Sequence, residues 1–195
     1  EVRQFILDNI TLWLAEYTID GLRLDSTIYT RNTEGNNDDH AHDIPEAWTL
    51  MAEINDLARK INPNALMIAE DNSSNPGLTT PTSEGGAGFT AQWEVGFPST
   101  IRDALGVGTV QSLEGIRYEI GHTFNGRPTD RITYSDSHDT AANGSARLNA
   151  LASPDNAVSS TARKAELLAN AISLTSPGIP MLLQGTEFTQ KGSFN

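Results

Sequence analysis

The chain has 195 residues, 37% of them hydrophobic, with 16 Gly, 9 Pro and no Cys, a globular composition large enough for one domain with its own core. Its 25 acidic residues against 13 basic ones give a net charge of −12, which argues against nucleic acid or an anionic membrane as partner and fits a neutral, hydroxyl-rich ligand. Without Cys there is no disulfide, no Cys-based zinc site and no thiol nucleophile, and no run of about 18 apolar residues could span a membrane.

The N-terminus has neither an initiator Met nor a signal-peptide pattern and starts directly in a helix, so a piece of a longer protein is expected. Val2, Phe5, Ile6, Ile10, Trp13 and Tyr17 mark the apolar stripe of that helix. A strand over Asp20–Thr27 follows, then a polar loop from Arg31 to His42. Asp43 reads as the N-cap of a second helix, with Pro45 in its first turn, Trp48, Met51, Ile54, Leu57, Ala58 and Ile61 on its apolar face, and Asn62-Pro63 as its stop. Ala65–Ala69 is a short unbroken apolar run of the kind a buried parallel strand uses.

A Ser/Thr/Pro/Gly loop occupies Asn72–Gly88, and Phe89–Val95 reads as a third strand. Helical pieces are expected near Ser99–Leu105 and Val110–Ile120. A strand over Arg131–Ser135 leads into Asp136-Ser137-His138-Asp139. After a Gly/Asn/Pro loop, a helix over Thr161–Leu174 carries Ala165, Leu168, Ala169 and Ile172, and the last strand spans Ile179–Gln184. Strands alternating with helices imply an α/β fold with parallel strands, as an open sheet or a barrel. Neither an internal repeat nor a dividing linker interrupts residues 1–195.

The chemistry-bearing residues fall at the C-terminal ends of three of these strands: Asp25, Glu70 and Asp139. That edge is where active sites of parallel α/β folds are built. On the first strand, alternation sets Leu22 and Leu24 on one face and Gly21, Arg23 and Asp25 on the other. A guanidinium beside a carboxylate favours the ionised acid and fixes its direction, as a carboxylate nucleophile requires. A purely structural ion pair would have the same signature. A second acid beside an apolar strand and a further acid suits proton donation, and two carboxylates with divided roles are what glycoside hydrolysis needs.

Asp20-Gly-Leu-Arg-Leu-Asp25, Ile68-Ala-Glu-Asp71 and Ser135-Asp-Ser-His-Asp139 resemble three short motifs of the α-amylase family, in that family's order. Gly178-Ile-Pro-Met-Leu-Leu-Gln-Gly-Thr-Glu187 is similar to its eighth-strand segment. Gly88-Phe-Thr-Ala-Gln-Trp93 and Ala69-Glu-Asp71 lean toward the glycogen branching enzyme and maltooligosyltrehalose trehalohydrolase side. The resemblance implies a partial TIM (β/α)8 barrel covering strands four to eight, the C-terminal portion of a catalytic domain that takes about 250 residues when complete.

It further implies a retaining hydrolase or transglycosylase of α-1,4-glucans. In that reading Asp25 is the nucleophile, Glu70 the general acid then base, Asp139 a binder of the distorted sugar, and Arg23 and His138 substrate-site partners. A branching enzyme specifically, or an inactive truncated sugar-binding fragment, are the alternatives. No cofactor is expected and no metal ligand set is assigned. The family's Asp/Asn-His motif after strand three and its Lys-His pair after the nucleophile find no match, Ser26-Thr27-Ile28-Tyr29 standing in the latter place, so a structural calcium is unsupported. The expected partner is an α-glucan or maltooligosaccharide, with no nucleic acid and no membrane, and open strand edges invite self-association. Composition leaves the compartment open, with the cytoplasm favoured.

Several features read blandly. The Asp38, Asp39, His40, His42, Asp43 group reads as a flexible acidic loop, because its spacing matches neither a zinc nor a calcium-loop pattern. Trp93 could stack on a sugar but reads as core. Glu187 could face a cleft or cap a turn.

Overall fold

The computed structural model describes residues 1–108 and 113–192. Two compact units divide the chain: residues 1–94 with 124–131, and residues 95–123 with 132–195.

The first unit holds a parallel sheet of three strands in the order β1 (Gly21–Leu24), β2 (Leu66–Glu70) and β3 (Ala91–Trp93). Leu22 lies opposite Met67 and Arg23 opposite Ile68, while Glu70 ends β2 opposite Trp93. Gly21 makes the first pairing feasible, since a Cβ there would lie 2.1 Å from the Leu66 carbonyl oxygen. Helix α1 (Val2–Thr11) runs into a π-helical turn over Leu12–Glu16, a five-residue helix α2 (Thr27–Arg31) follows β1, and α3 (Pro45–Ile61) joins β1 to β2. Ile10, Leu14, Met51, Ile54, Ala58, Met67 and Ala69 form the buried core between the helices and the sheet, with Leu22 and Leu24 against it.

Three expectations change here. The stripe on α1 is only half right: Ile6 and Ile10 pack inward with Leu7 and Leu14, whereas Val2, Phe5 and Tyr17 are exposed. The π-turn shifts the helical phase, so an even 3.6-residue count misplaces its far end. Asp43 is not the cap of α3. Ile44 holds that position without a side-chain bond, Pro45 still opens the helix, and Asp43 turns back to accept from Asn32 Nδ2 at 2.9 Å. The strand expected to run through Thr27 stops at Leu24, because Ser26 takes a left-handed conformation (φ 49) and starts α2.

The second unit contains α4 (Gly96–Arg102), which continues as a π-helical turn over Asp103–Val107, then α5 (Leu113–Gly121), β4 (Ile132–Thr133), α6 (Leu148–Ala152), α7 (Ser160–Thr175) and β5 (Ile179–Pro180). The predicted helix start at Val110 lies outside the described residues. Strands β4 and β5 pair in parallel, Ile132 opposite Ile179. Phe97, Ile101, Leu148 and Ala169 make the core, with Ala165 and Ile172 against it. The inner face of α7 is more polar than its sequence suggests. Glu166, Asn170 and Ser173 are buried with Ala162 and Ala169, while Leu168 is half exposed.

No helix among the described residues is long and apolar enough to cross a membrane.

Candidate active site

Asp25 and Glu70 come together at the C-terminal ends of the neighbouring strands β1 and β2. Arg23 is the common partner: its Nη1 donates to Asp25 Oδ1, and its Nη2 lies 3.7 Å from Glu70 Oε2. The Arg23 guanidinium also stacks over the Trp93 ring, 4.8 Å from the centroid. Trp93 is therefore half-buried under a cation at the strand ends, not a core residue as its strand position suggested.

The two acids differ in setting. The Asp25 side chain is 79% exposed, whereas that of Glu70 is 14% exposed and held from both sides. Ser26 N donates to Glu70 Oε2 at 2.5 Å, which the left-handed turn at Ser26 makes geometrically accessible. Asn72 Nδ2 donates to Glu70 Oε1 at 2.5 Å. An amide side chain can serve either protonation state of an acid, since its nitrogen donates to the carboxylate and its oxygen can accept from the protonated form. Such a pair can divide nucleophile and acid/base work: one carboxylate open to substrate, the other aimed by fixed donors.

Residues around this pair carry more of its geometry than sequence reasoning assigned them. Asp71, one residue past Glu70, has a fully buried side chain and binds Arg31 through both oxygens, at 2.9 and 3.0 Å. Thr27 Oγ1 lies 2.8 Å from Asp71 Oδ2 and 3.0 Å from the Glu70 carbonyl oxygen. Alternation past the strand end was the available signal: if Glu70 faces one side, Asp71 faces the other.

Asp139 sits in the second unit, in the turn after β4. The chain is buried from Arg131 through Ser137 and becomes exposed at His138 and Asp139, which lie in contact at 3.2 Å (Nε2 to Oδ2) with side chains 55% and 56% exposed. Thr140 closes the turn, accepting at Oγ1 from Ser137 N at 2.7 Å. Beneath it, Asp136 is fully buried. It accepts from Arg102 Nη1 and, at 3.0 Å, from Leu148 N. Burial pushes the Asp136 carboxyl above the usual carboxylate range, with Arg102 opposing. Glu166 on α7 faces the same region. Burial, helped by the charges of Asp136 and Glu187 and opposed by Arg147, raises its pKa to about 7. Neither of its oxygens has a hydrogen-bond partner among the described residues.

Acidic side chains of the stretch after α2 pair with its histidines. His40 Nδ1 pairs with Asp43 and His42 Nδ1 with Asp39, each at 2.9 Å. The bonds from Asn32, then His40, hold Asp43 below the usual carboxylate range. No three His, Asp or Glu side chains converge as a metal site among the described residues. Glu187 caps its own turn, accepting from Gly185 N at 2.8 Å.

Comparison with known proteins identifies the family. The alpha-amylase catalytic domain family matches residues 1–194. The 1,4-alpha-glucan branching enzyme GlgB of Leifsonia xyli is 38% identical over 105 residues, covering 50% of this chain and 14% of that enzyme. The corresponding enzyme of Mycobacterium bovis is 29% identical over 204 residues, covering 100% of the chain and 27% of its own length. Among solved structures, the alpha-amylase of Geobacillus thermoleovorans complexed with acarbose superposes with a TM-score of 0.69 at 22% identity, covering 100% of this chain and 38% of the other. The pullulanase of an Anoxybacillus strain complexed with maltotriose gives 0.68 at 22% identity, with 97% and 27% covered. The chain thus spans about a quarter or less of the length of these branching enzymes. The strand ends that carry Asp25, Glu70 and Asp139, the parallel α/β architecture and a match across almost every residue lead to one conclusion: this chain belongs to the alpha-amylase catalytic domain family, as a partial (β/α)8 barrel.

Proposed function

We propose that this chain is the nucleophile-bearing portion of the catalytic barrel of a longer retaining enzyme that acts on α-1,4-glucans. The observation that carries this reading is the single Arg23 guanidinium reaching both Asp25 and Glu70. One guanidinium in reach of both acids keeps them on the same side of the neighbouring strand ends, as two carboxylates that share one glycosidic bond must be.

In the first step Asp25 Oδ attacks the anomeric carbon while the glycosidic C–O bond breaks and Glu70 gives its proton to the leaving oxygen. Arg23 holds the attacking carboxylate and leaves the sugar–aspartate ester a fixed frame. In the second step Glu70, now ionised, takes a proton from a water or sugar hydroxyl that attacks the same carbon, and the Asp25 carboxylate departs. His138 and Asp139 bind hydroxyls of the distorted ring. No step is assigned to a metal or a cofactor.

Transfer to a sugar hydroxyl, with branching as the outcome, is favoured over simple hydrolysis by the branching-enzyme relatives at up to 38% identity. The presence of all three acids speaks against a sugar-binding protein that has lost catalysis.

The test uses the complete enzyme carrying this chain, given amylose. New α-1,6 anomeric proton signals are expected, with few new reducing ends. A 2-deoxy-2-fluoroglucosyl fluoride should add one sugar mass to the tryptic peptide containing Asp25. Labelling elsewhere, or wild-type turnover by Asp25→Asn, would overturn the assignment.

A further inference from the structure

Arg31 and Asp71 form an ion pair with no place in the chemistry just described. Their side chains are 5% and 0% exposed, so both charges are withdrawn from water. The Asp71 carboxylate is fully engaged: Arg31 Nη2 at 2.9 Å on Oδ1, Arg31 Nε at 3.0 Å and Thr27 Oγ1 at 2.8 Å on Oδ2, and Ser73 Oγ on Oδ1. Arg31 Nη2 also donates to Asn37 Oδ1 at 2.7 Å and Ser73 Oγ at 3.0 Å. A buried pair of this kind adds little net stability, because desolvation offsets the attraction; packed apolar residues often do as well or better. Fixing geometry is the role such a pair fills better than they would.

What it fixes follows from the chain on either side. Asp71 adjoins Glu70 at the end of β2. Arg31 and Thr27 are the two ends of α2, which starts two residues after Asp25. The pair therefore ties the helix behind the nucleophile to the strand end that carries the acid. The same tie places Ser26 N at 2.5 Å from Glu70 Oε2 and Thr27 Oγ1 at 3.0 Å from the Glu70 carbonyl oxygen.

We propose that Arg31 and Asp71 are positioning residues that set the Glu70 carboxyl against Asp25 by holding α2 on the end of β2. The proposal rests on the reading of Asp25 and Glu70 given above. Neither residue touches substrate, and both act through Ser26 N and the Glu70 backbone.

A single truncation would strand a buried charge and confuse stability with geometry. The decisive variant is Arg31→Met/Asp71→Leu in the complete enzyme, which removes both charges and keeps apolar volume. Its melting temperature is expected to stay near wild type. Its kcat should fall about 10- to 100-fold with KM within about threefold, the loss that misplacing reacting groups by an ångström produces. Arg31→Lys, which keeps the charge but not the two-pronged donor, should lose about tenfold in kcat at an unchanged melting temperature.

Asn55→Ala serves as the stability control, since it removes a buried donor to the Ala87 carbonyl (2.7 Å) away from the strand ends. It should lower the melting temperature and leave kcat unchanged at permissive temperature. Wild-type kcat in the folded double variant overturns the proposal. Should that variant not fold, wild-type kcat in Arg31→Lys overturns it instead. Asp25→Asn in the same assays keeps the two readings apart: if it is inactive while the Arg31 variants are not, only the positioning role fails.

Discussion

The chain presents its candidate chemistry on two strand ends built in contrasting ways. At the end of β1 and β2 the acids themselves are gripped: Arg23 reaches both Asp25 and Glu70, and Ser26 N and Asn72 fix the Glu70 oxygens. After β4 the grip lies one layer down. Asp136 is buried and tied to Arg102 and Leu148 N, while His138 and Asp139 stand half exposed with each other as partner. A group that forms and breaks a covalent bond must hold its geometry through the reaction, whereas one that binds hydroxyls can be ordered by the sugar itself. The difference is sharpest for Glu70, whose side chain is 14% exposed against 56% for Asp139, while Asp25, 79% exposed, is held by Arg23 and not by burial; this fits the bond-making role proposed for the first pair and the binding role proposed for the second.

The sharpest way to break that comparison is to remove each acid in turn. Asp25→Asn and Glu70→Gln keep shape and remove charge or proton, so turnover of α-1,4-glucans should fall by about 10³- to 10⁵-fold with binding retained. Asp139→Asn should cost less, about 10²-fold, and should weaken substrate binding as well. Steady-state kinetics with isothermal titration of a maltooligosaccharide would decide it. Equal losses at all three positions, with binding intact, would erase the distinction.

The second test attacks the hidden grip. Arg102→Leu leaves Asp136 buried without its cation and strips donors from the Thr140 and Ala146 carbonyls, which Arg102 Nη2 reaches at 3.2 and 2.7 Å. Losing one partner of a buried pair typically costs about 3–5 kcal/mol. Hydrogen exchange should show residues 132–152 losing protection, while β1 and β2 keep theirs. Uniform loss across both sheets would mean that the two strand ends do not hold independently.

How much of this was legible in the sequence depends on whether a residue acts through pattern or through contact. Asp25, Glu70 and Arg23 stood out because strand alternation and strand ends define them without reference to anything distant, whereas Asp139 and His138, in a turn, stood out only through the family resemblance of their motif. Short apolar runs likewise disclosed β2 and, more loosely, β3. The α2–Asp71 tie did not stand out, since a five-residue helix has no period to detect and the partners Arg31 and Asp71 lie on different elements. The same is true of α6, hidden in a Gly/Asn/Pro stretch. Glu166 is a different failure. It lies on one helical stripe with Ala162, Ala169 and Ser173, but counting only apolar residues picked Leu168 for the inside, and that residue points half out. Small and polar residues made the inner face there, which hydrophobic periodicity is blind to.

The smallest expected effects concern pH, and they run in opposite directions in the two units. Glu166 holds its proton in the folded state up to about pH 7, whereas an unfolded glutamate releases it near 4.3. Its stabilisation is complete below the unfolded value and is lost as pH rises through about 7; the raised Asp136 acts in the same sense. Asp136, Arg147 and Glu187 are the charged groups that face Glu166, and Glu166→Gln should flatten the slope while they remain. Asp43 in the first unit is held low by Asn32 and His40, so its contribution is present above the usual aspartate value and disappears as pH falls below it. The three Trp residues, 13, 48 and 93, all belong to the first unit, so their fluorescence reports that unit alone. Thermal unfolding followed by Trp fluorescence should weaken toward pH 3 and change little between pH 5 and 8. Hydrogen exchange of α7 should weaken between pH 5 and 8, after correction for the intrinsic rate. A Trp signal that tracks α7 across pH 5–8, or an α7 slope that survives Glu166→Gln, would assign the alkaline sensitivity to some other group.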